Sequence, residues 1–342
     1  MPHKKSGIVI PSEGRLSWAK EREVEGPWGS LQVVGFISCV LALLAPFGTA
    51  QTPAPTLQEK LGYPASAKLL IIHADDLGMA HSVNRATFEA LEKAWVTSAS
   101  VMVPCPWFPE VVRWAKAHPQ ADLGIHLTLD SEWTSFRWRP VSGSDQVPSL
   151  LDSDGYLLLD PELLHGTLPE IEREVRAQIE RARAAGLPIT HLDSHMLALT
   201  SKPDYFRLYL QLGHDYKVPI RLAREGESQV APYLNLSADD LLLDGTISMN
   251  PGVSKSDWVK WYENSLAALP PGVYEMIVHL AYDDPEMQGA TADHPDWGAA
   301  WRQSDFDMVR SPEFAQFLRA HNFTLVSWRD LSTRLQNSSK TK

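Results

Sequence analysis

Three short polar clusters in this chain each lie at the end of an apolar, strand-like run. His73-Ala-Asp-Asp-Leu-Gly78 follows Leu69–Ile72, Gly124-Ile-His-Leu127 closes Ala121–Ile125, and His191-Leu-Asp-Ser-His195 closes Leu187–Leu192. Runs of this kind, separated by segments of helical period, suit parallel strands, whose crossover helices bring all the carboxyl ends to one rim. Two carboxylates and two or three imidazoles on such a rim suit one divalent cation with positions left open for water and substrate. The pattern therefore predicts an α/β fold and metal-assisted hydrolysis.

The alternation continues along the chain. Lys68–His73 predicts a strand, and Ser82–Trp95 a helix with Val83, Ala86, Ala90, Leu91 and Ala94 at helical spacing. Thr97–Val103 reads as a strand, Phe108–Ala117 as a helix. Between Asp122 and Leu129 the alternation is strict, which puts His126 with Gly124 and Thr128 on the face opposite the leucines. Ser131–Asp160 has no period and predicts a long loop over the site. Leu168–Ala185 is a helix stopped by Gly186 and Pro188, followed by a strand at Ile189–Asp193. A helix at Phe206–Gly213, a short strand at Pro219–Leu222, a helix at Ser256–Leu269 capped by its Ser, and a strand at Val273–His279 come next. A loop over 281–304, a helix near Pro312–Ala320 and a strand at Thr324–Ser327 complete the reading. Six or seven β-α units without hairpin signals predict a parallel barrel or a doubly wound sheet.

The formal charge of −11, with no clustered Lys or Arg, argues against a nucleic-acid partner and favours a neutral or cationic substrate. Cys39 and Cys105 are the two cysteines, too few for a disulfide framework or a thiolate zinc site, so any metal is held by His and carboxylate. Val33–Phe47 is apolar and is followed by Gly48-Thr-Ala50, which fits a signal-peptide core and a small-residue cleavage site better than a membrane span. An uncleaved anchor and a buried helix are the alternatives. Residues 1–50 thus read as a signal peptide or N-terminal anchor, 51–67 as a linker, 68–335 as one catalytic domain and 336–342 as a disordered tail. Secretion or export to the periplasm follows from a cleaved leader, membrane anchoring from a retained one.

Adjacent carboxylates at Asp75 and Asp76 repel, and so need a cation or a helix N-terminus beside them. His191 and His195 have the spacing of two ligands on a helix, but Ile189–Asp193 reads as a strand. One of the two is therefore expected to point away, with His195, beyond the strand end, the better ligand. Asp193 is placed to accept from a ligand histidine. His279 closes a fourth strand and suits a general acid, because imidazole titrates near neutral pH. Trp107, Trp133, Trp138, Trp297 and Trp301 fall in loops, where their rings could stack on sugars or simply pack beneath the loops.

At these residues the chain resembles the YdjC-like carbohydrate deacetylases. The matching stretches are IIHADDLGMAHSVNRA (71–86), VTSASVMVP (96–104), GIHLTL (124–129), the Glu174/Gln178 helix leading into THLDSH (190–195), YEMIVHLAYDD (274–284) and LVSWRDL (325–331). The resemblance covers Lys68 to Leu331. It implies a distorted (β/α) barrel related to polysaccharide deacetylases, and removal of an acetyl group from an N-acetylated amino sugar or glycolipid. It also implies one divalent cation, usually Mg, with Zn, Mn or Co as alternatives for such ligands. Carried over by position, Asp76, His126 and His195 look like metal ligands, Asp75 like the catalytic base and His279 like the acid. The family usually ends its third motif in a second histidine, where this chain has Leu197. The expected partner is a small-molecule or oligosaccharide substrate, with no stable membrane span in the mature form. Two other readings stand beside this one. One is a metal hydrolase of a phosphoester or another amide. The other is a non-catalytic carbohydrate-binding relative, against which the presence of both Asp75 and His279 argues.

Overall fold

The structure, a computed structural model, describes residues 55–160, 164–224, 236–237 and 240–340. The leader expected at 1–50 lies outside them. A one-turn helix, α1 (Leu57–Lys60), stands in the stretch read as a linker and precedes β1 (Lys68–Leu77), α2 (His81–Glu92), β2 (Ser98–Val101) and α3 (Phe108–Ala117). Then come β3 (Leu123–Leu127), α4 (Leu168–Ala184), β4 (Ile189–Ser194), α5 (Pro203–Tyr216), β5 (Gly245–Ser248), α6 (Trp258–Ala267) and β6 (Gly272–Val278). The order ends with α7 (Pro285–Ala290), α8 (Ala299–Val309), α9 (Pro312–Ala320), β7 (Phe323–Leu325) and α10 (Trp328–Lys340). Among the described residues no helix is long and apolar enough to cross a membrane.

The strands form a sheet in the order β4-β3-β2-β1-β6-β5, every pair parallel, with β7 alongside the first residues of β1. Isolated parallel bridges from Leu192 to Ile220 and from Ala223 to Leu243 join β4 through an extended segment to the chain entering β5. Those bridges close the sheet into the distorted barrel. The segment read as a strand at Pro219–Leu222 is this closing stave, present as bridges alone.

β1 is buried along nearly its whole length, because helices cover its outer face and the barrel interior its inner one. Leu70, Ile72 and Ala74 pack outward against the helices, in the cluster that includes Ile171, Val175 and Ile179 of α4. Leu69 and Ile71 point the other way and pack with Val273, Val326, Trp328 and Leu331. Trp328, fully buried, sits under the interior polar side chains. Its Nε1 donates to Glu275 Oε1 at 2.9 Å, and its ring stacks on His191 at 5.2 Å. Arg221 donates to the other oxygen of Glu275 at 2.7 Å. Trp328→Ala removes a buried ring and strips Glu275 of a donor, so it should cost about 3–5 kcal/mol of stability. A urea midpoint within error of the wild type would show that the ring does not support the barrel.

Three expectations need correction. The 281–304 segment is no simple loop, since it holds α7, a 3₁₀ turn at Pro295–Trp297 and the start of α8. Ser256 caps nothing, because α6 begins at Trp258 after a 3₁₀ turn, and its N-cap residue Asp257 makes no side-chain capping bond. β5 was not foreseen, because Gly-Thr-Ile-Ser is too short for its alternation to register.

Two polar residues on the buried face of α4 pin the long loop and the strand end that leads into it. Glu174 accepts from the amides of Val141 at 2.9 Å and Ser142 at 2.8 Å, and Gln178 is tied to both backbone groups of Thr128. The loop is thereby held against the barrel rim.

Candidate active site

The pairing of β1 with β2 shifts register between Ala74 and Leu77, and Asp76 has a left-handed backbone, φ 59°. Neighbouring residues of a regular strand face opposite sides. The irregularity turns both carboxylates to the rim, as bulges do beside active sites. Gly78, at φ 99°, completes the turn into α2.

Asp76 Oδ1 lies 3.4 Å from His126 Nε2 and 3.3 Å from His195 Nδ1, and the two nitrogens are 3.1 Å apart. Ligand atoms ~2.1 Å from a common ion stand roughly 3.0–3.4 Å from one another, so this triangle has the size of one face of a coordination shell. Asp76 Oδ1 is buried and has no hydrogen-bond partner among the described residues, which fits an atom shaped to meet a cation. Its other oxygen is held by Arg302 of α8 at 2.8 Å. Behind His126, Asp193 Oδ1 faces Nδ1 at 2.8 Å. The group Asp76, His126 and His195 could hold a metal ion.

On the other side of the triangle, Asp75 Oδ2 is 3.4 Å from His279 Nε2 and 3.9 Å from His126 Nε2. The backbone N–H of His279 donates to Asp305 Oδ2 at 2.9 Å, while Trp258 and Tyr262 both donate to Asp305 Oδ1. Trp297 and Trp301 wall the imidazole at ring separations of 6.0 and 5.0 Å.

Burial and the neighbouring Asp76 charge push the Asp75 carboxyl up to about 7. Burial acts the same way on Asp76, but Arg302 and then the two histidines facing its Oδ1 hold it well below the carboxylate range. Burial disfavours a charged His126, yet Asp193 and then Asp76 push it up to about 10. A cation at the triangle therefore has to displace a proton. Burial pushes His279 down to about 3, with Arg302 adding to the effect. It therefore does not titrate near neutral pH, as the sequence reading assumed.

His191 does not turn away as expected. Residues i and i+4 of a strand share a face, so His191 and His195 both point inward, on different layers. His191 lies against Gly124, where a Cβ would come within 2.4 Å of its ring, and its ring centroid is 5.0 Å from that of His73. His73 Nε2 lies 2.9 Å from Ser100 Oγ and 3.2 Å from Asp193 Oδ2, one layer below the triangle. Trp133, Trp138 and Trp301 are buried packing residues, whereas Trp107 and Trp297 are partly accessible. Leu197 is 53% exposed and, like Met196, has a left-handed backbone, so no side chain of the triangle comes from that position.

Sequence reading missed Arg302, Asp305, Asp130 and Glu132. Arg302 and Asp305 lie at or just past the end of a supposed loop and carried no signal. Asp130 and Glu132 continue the even-numbered series of His126 and Thr128, and that period of two could have found them.

A family model for YdjC-like proteins matches residues 69–320. A carbohydrate deacetylase of Thermus thermophilus is 34% identical over 282 residues, spanning 80% of this chain and 97% of the relative. One of Brevibacillus brevis is 32% identical, over 77% of this chain and 99% of its own. Among solved structures, a proposed cellobiose-phosphate cleavage protein of Enterococcus faecalis V583 superposes with a TM-score of 0.67 at 24% identity. It covers 78% of this chain and 99% of its own, and shares the fold.

Proposed function

This chain belongs to the YdjC-like family, and on that premise we propose that it hydrolyses the N-acetyl group of an N-acetylated sugar, giving a free amine and acetate. The observation that carries the reading is the 3.1–3.4 Å triangle of Asp76 Oδ1, His126 Nε2 and His195 Nδ1, with Asp75 and His279 paired beside it. In this proposal the three residues hold one divalent cation, Mg by family resemblance, with Zn, Mn and Co as alternatives. That ion, when bound, supplies polarisation of the acyl oxygen and activation of water.

The side chains do the proton work. Asp75, with its raised affinity for a proton, takes one from the attacking water. His279 Nε2, 3.4 Å from Asp75 Oδ2, binds a proton more weakly than Asp75 does, so it relays that proton in one concerted movement, accepting it only as it delivers it to the departing nitrogen. The backbone bond to Asp305 fixes the position of His279, and the two tryptophans wall its ring. Arg302 neutralises Asp76 without occupying the oxygen that faces the histidines. The proposal includes a leader over 1–50 that exports a single catalytic domain spanning 68–335.

Acetate release from N-acetylglucosamine oligomers and glycolipids, after reconstitution with each ion, tests the activity. Turnover of p-nitrophenyl phosphate without acetate release would make it a phosphoesterase instead. His279→Ala should slow amide substrates by roughly 10²–10⁴. A nitrophenyl acetate, whose leaving group needs little protonation, should lose far less. Equal losses on both substrates would remove His279 from proton delivery.

A further inference from the structure

The two histidines of the triangle face it through different nitrogens. His126 presents Nε2 and keeps Nδ1 toward Asp193, whereas His195 presents Nδ1 and turns Nε2 outward. A neutral imidazole that binds through one nitrogen carries its proton on the other, and a buried N–H needs an acceptor. For His195 the atom in reach is Glu132 Oε2, at 3.2 Å from Nε2. Asp130 Oδ2, at 3.6 Å, is too distant for a normal hydrogen bond.

Glu132 is held in place by its surroundings. The N–H of Ser131 donates to the carbonyl of Leu158 at 2.6 Å, and its hydroxyl accepts from Arg137 Nε and the Trp138 amide. The adjacent Trp133 is buried, and the Thr134 amide donates to Asp293 at 2.7 Å. The loop is thereby fastened on both sides of Glu132, and the carboxylate meets His195 without further ordering.

We infer that Glu132 is a positioning residue that holds His195 in its Nε2–H tautomer, leaving Nδ1 free to bind the cation. The inference rests on the metal-site reading above. Loss of such a carboxylate behind a ligand histidine typically weakens metal affinity about 10–100-fold. Glu132 reaches His195 from the loop, whereas Asp193 reaches His126 from β4. The two histidines that would hold the cation are therefore braced from both sides, one by the barrel and one by its covering loop.

Cobalt titration of the full-length protein, followed by its visible absorption, gives the affinity of wild type, Glu132→Ala and Glu132→Gln. Isotope-edited NMR of the histidine rings in zinc-loaded protein reads the tautomer. Glu132→Ala should bind cobalt about 10–100-fold more weakly and lose the slowly exchanging Nε2 proton of His195. Glu132→Gln keeps an acceptor oxygen and should restore the proton signal with part of the affinity. Wild-type affinity and an intact Nε2–H in Glu132→Ala would overturn the inference while leaving the metal site standing. Failure of the wild type to take up cobalt would overturn the site and the inference together. Cobalt binding without acetate release would count against the deacetylase reading alone.

Discussion

His126→Ala should leave the protein folded, free of divalent cation, and at least ~10³-fold slower on acetylated sugars. The change removes one vertex of the triangle, and two protein ligands rarely retain a catalytic metal. Without the ion the acyl oxygen loses several kcal/mol of charge stabilisation, and each 1.36 kcal/mol is about tenfold in rate. The fold survives because Asp193, deprived of His126, keeps His73 at 3.2 Å and the Ser100 hydroxyl at 2.8 Å. Elemental analysis and circular dichroism of the purified variant read both outcomes. Full metal occupancy in His126→Ala would mean that the ion, if there is one, sits elsewhere.

Asp75→Asn should separate chemistry from metal retention. The amide cannot take a proton from water, so kcat should fall by roughly 10²–10⁴ while metal content stays near stoichiometric. A second effect has the opposite sign. Asp75 titrates near 7 in the folded protein against 3.8 for an ordinary aspartate, mainly because it is buried and lies beside Asp76. Over that window the folded state binds the extra proton, so the stability of the metal-free protein falls as pH rises from about 4 to 7 and levels off above. Asparagine carries no such charge. The metal-free variant should therefore melt above the wild type at pH 8 and converge with it near pH 4. Loss of metal in Asp75→Asn, with retention in Asp76→Asn, would show that the two carboxylates have exchanged roles.

The architecture was readable because parallel strands with crossover helices leave a strong periodic trace. Phe108–Ala117 and Lys68 as the start of β1 were placed to the residue. The gathering of Asp75, Asp76, His126, His195 and His279 could be anticipated because each ends a strand of one parallel sheet. What supports them could not. Arg302 reaches Asp76 from a helix over two hundred positions away in sequence, and no local pattern marks a guanidinium for a particular carboxylate. The short strand read at Pro219–Leu222 is present, but as isolated bridges, and its part in closing the ring is a matter of tertiary pairing that no local pattern carries. His191 was misjudged by taking the strand to separate the two histidines, whereas its period of two places His191, Asp193 and His195 on one face. The neutral state of His279 depends on burial, which its own neighbours in sequence do not reveal.

The position of Trp328 beneath the barrel has a consequence for the order in which the molecule is made. β1 is among the first strands to leave the ribosome, but its neighbours on either side include β6, at 272–278, and β7, at 323–325. During most of translation β1 to β4 can form only an open sheet, with one edge of β1 bare and His73 not yet paired with Glu275. Contacts of such long sequence separation form slowly, since the loops they close must be ordered first. The nascent chain should thus remain a client for chaperones, and accessible to proteases, until Trp328 has been synthesised and seated. Pulse-labelled chains stalled before residue 323 should be digested readily, and those stalled with 328–340 clear of the ribosome should resist.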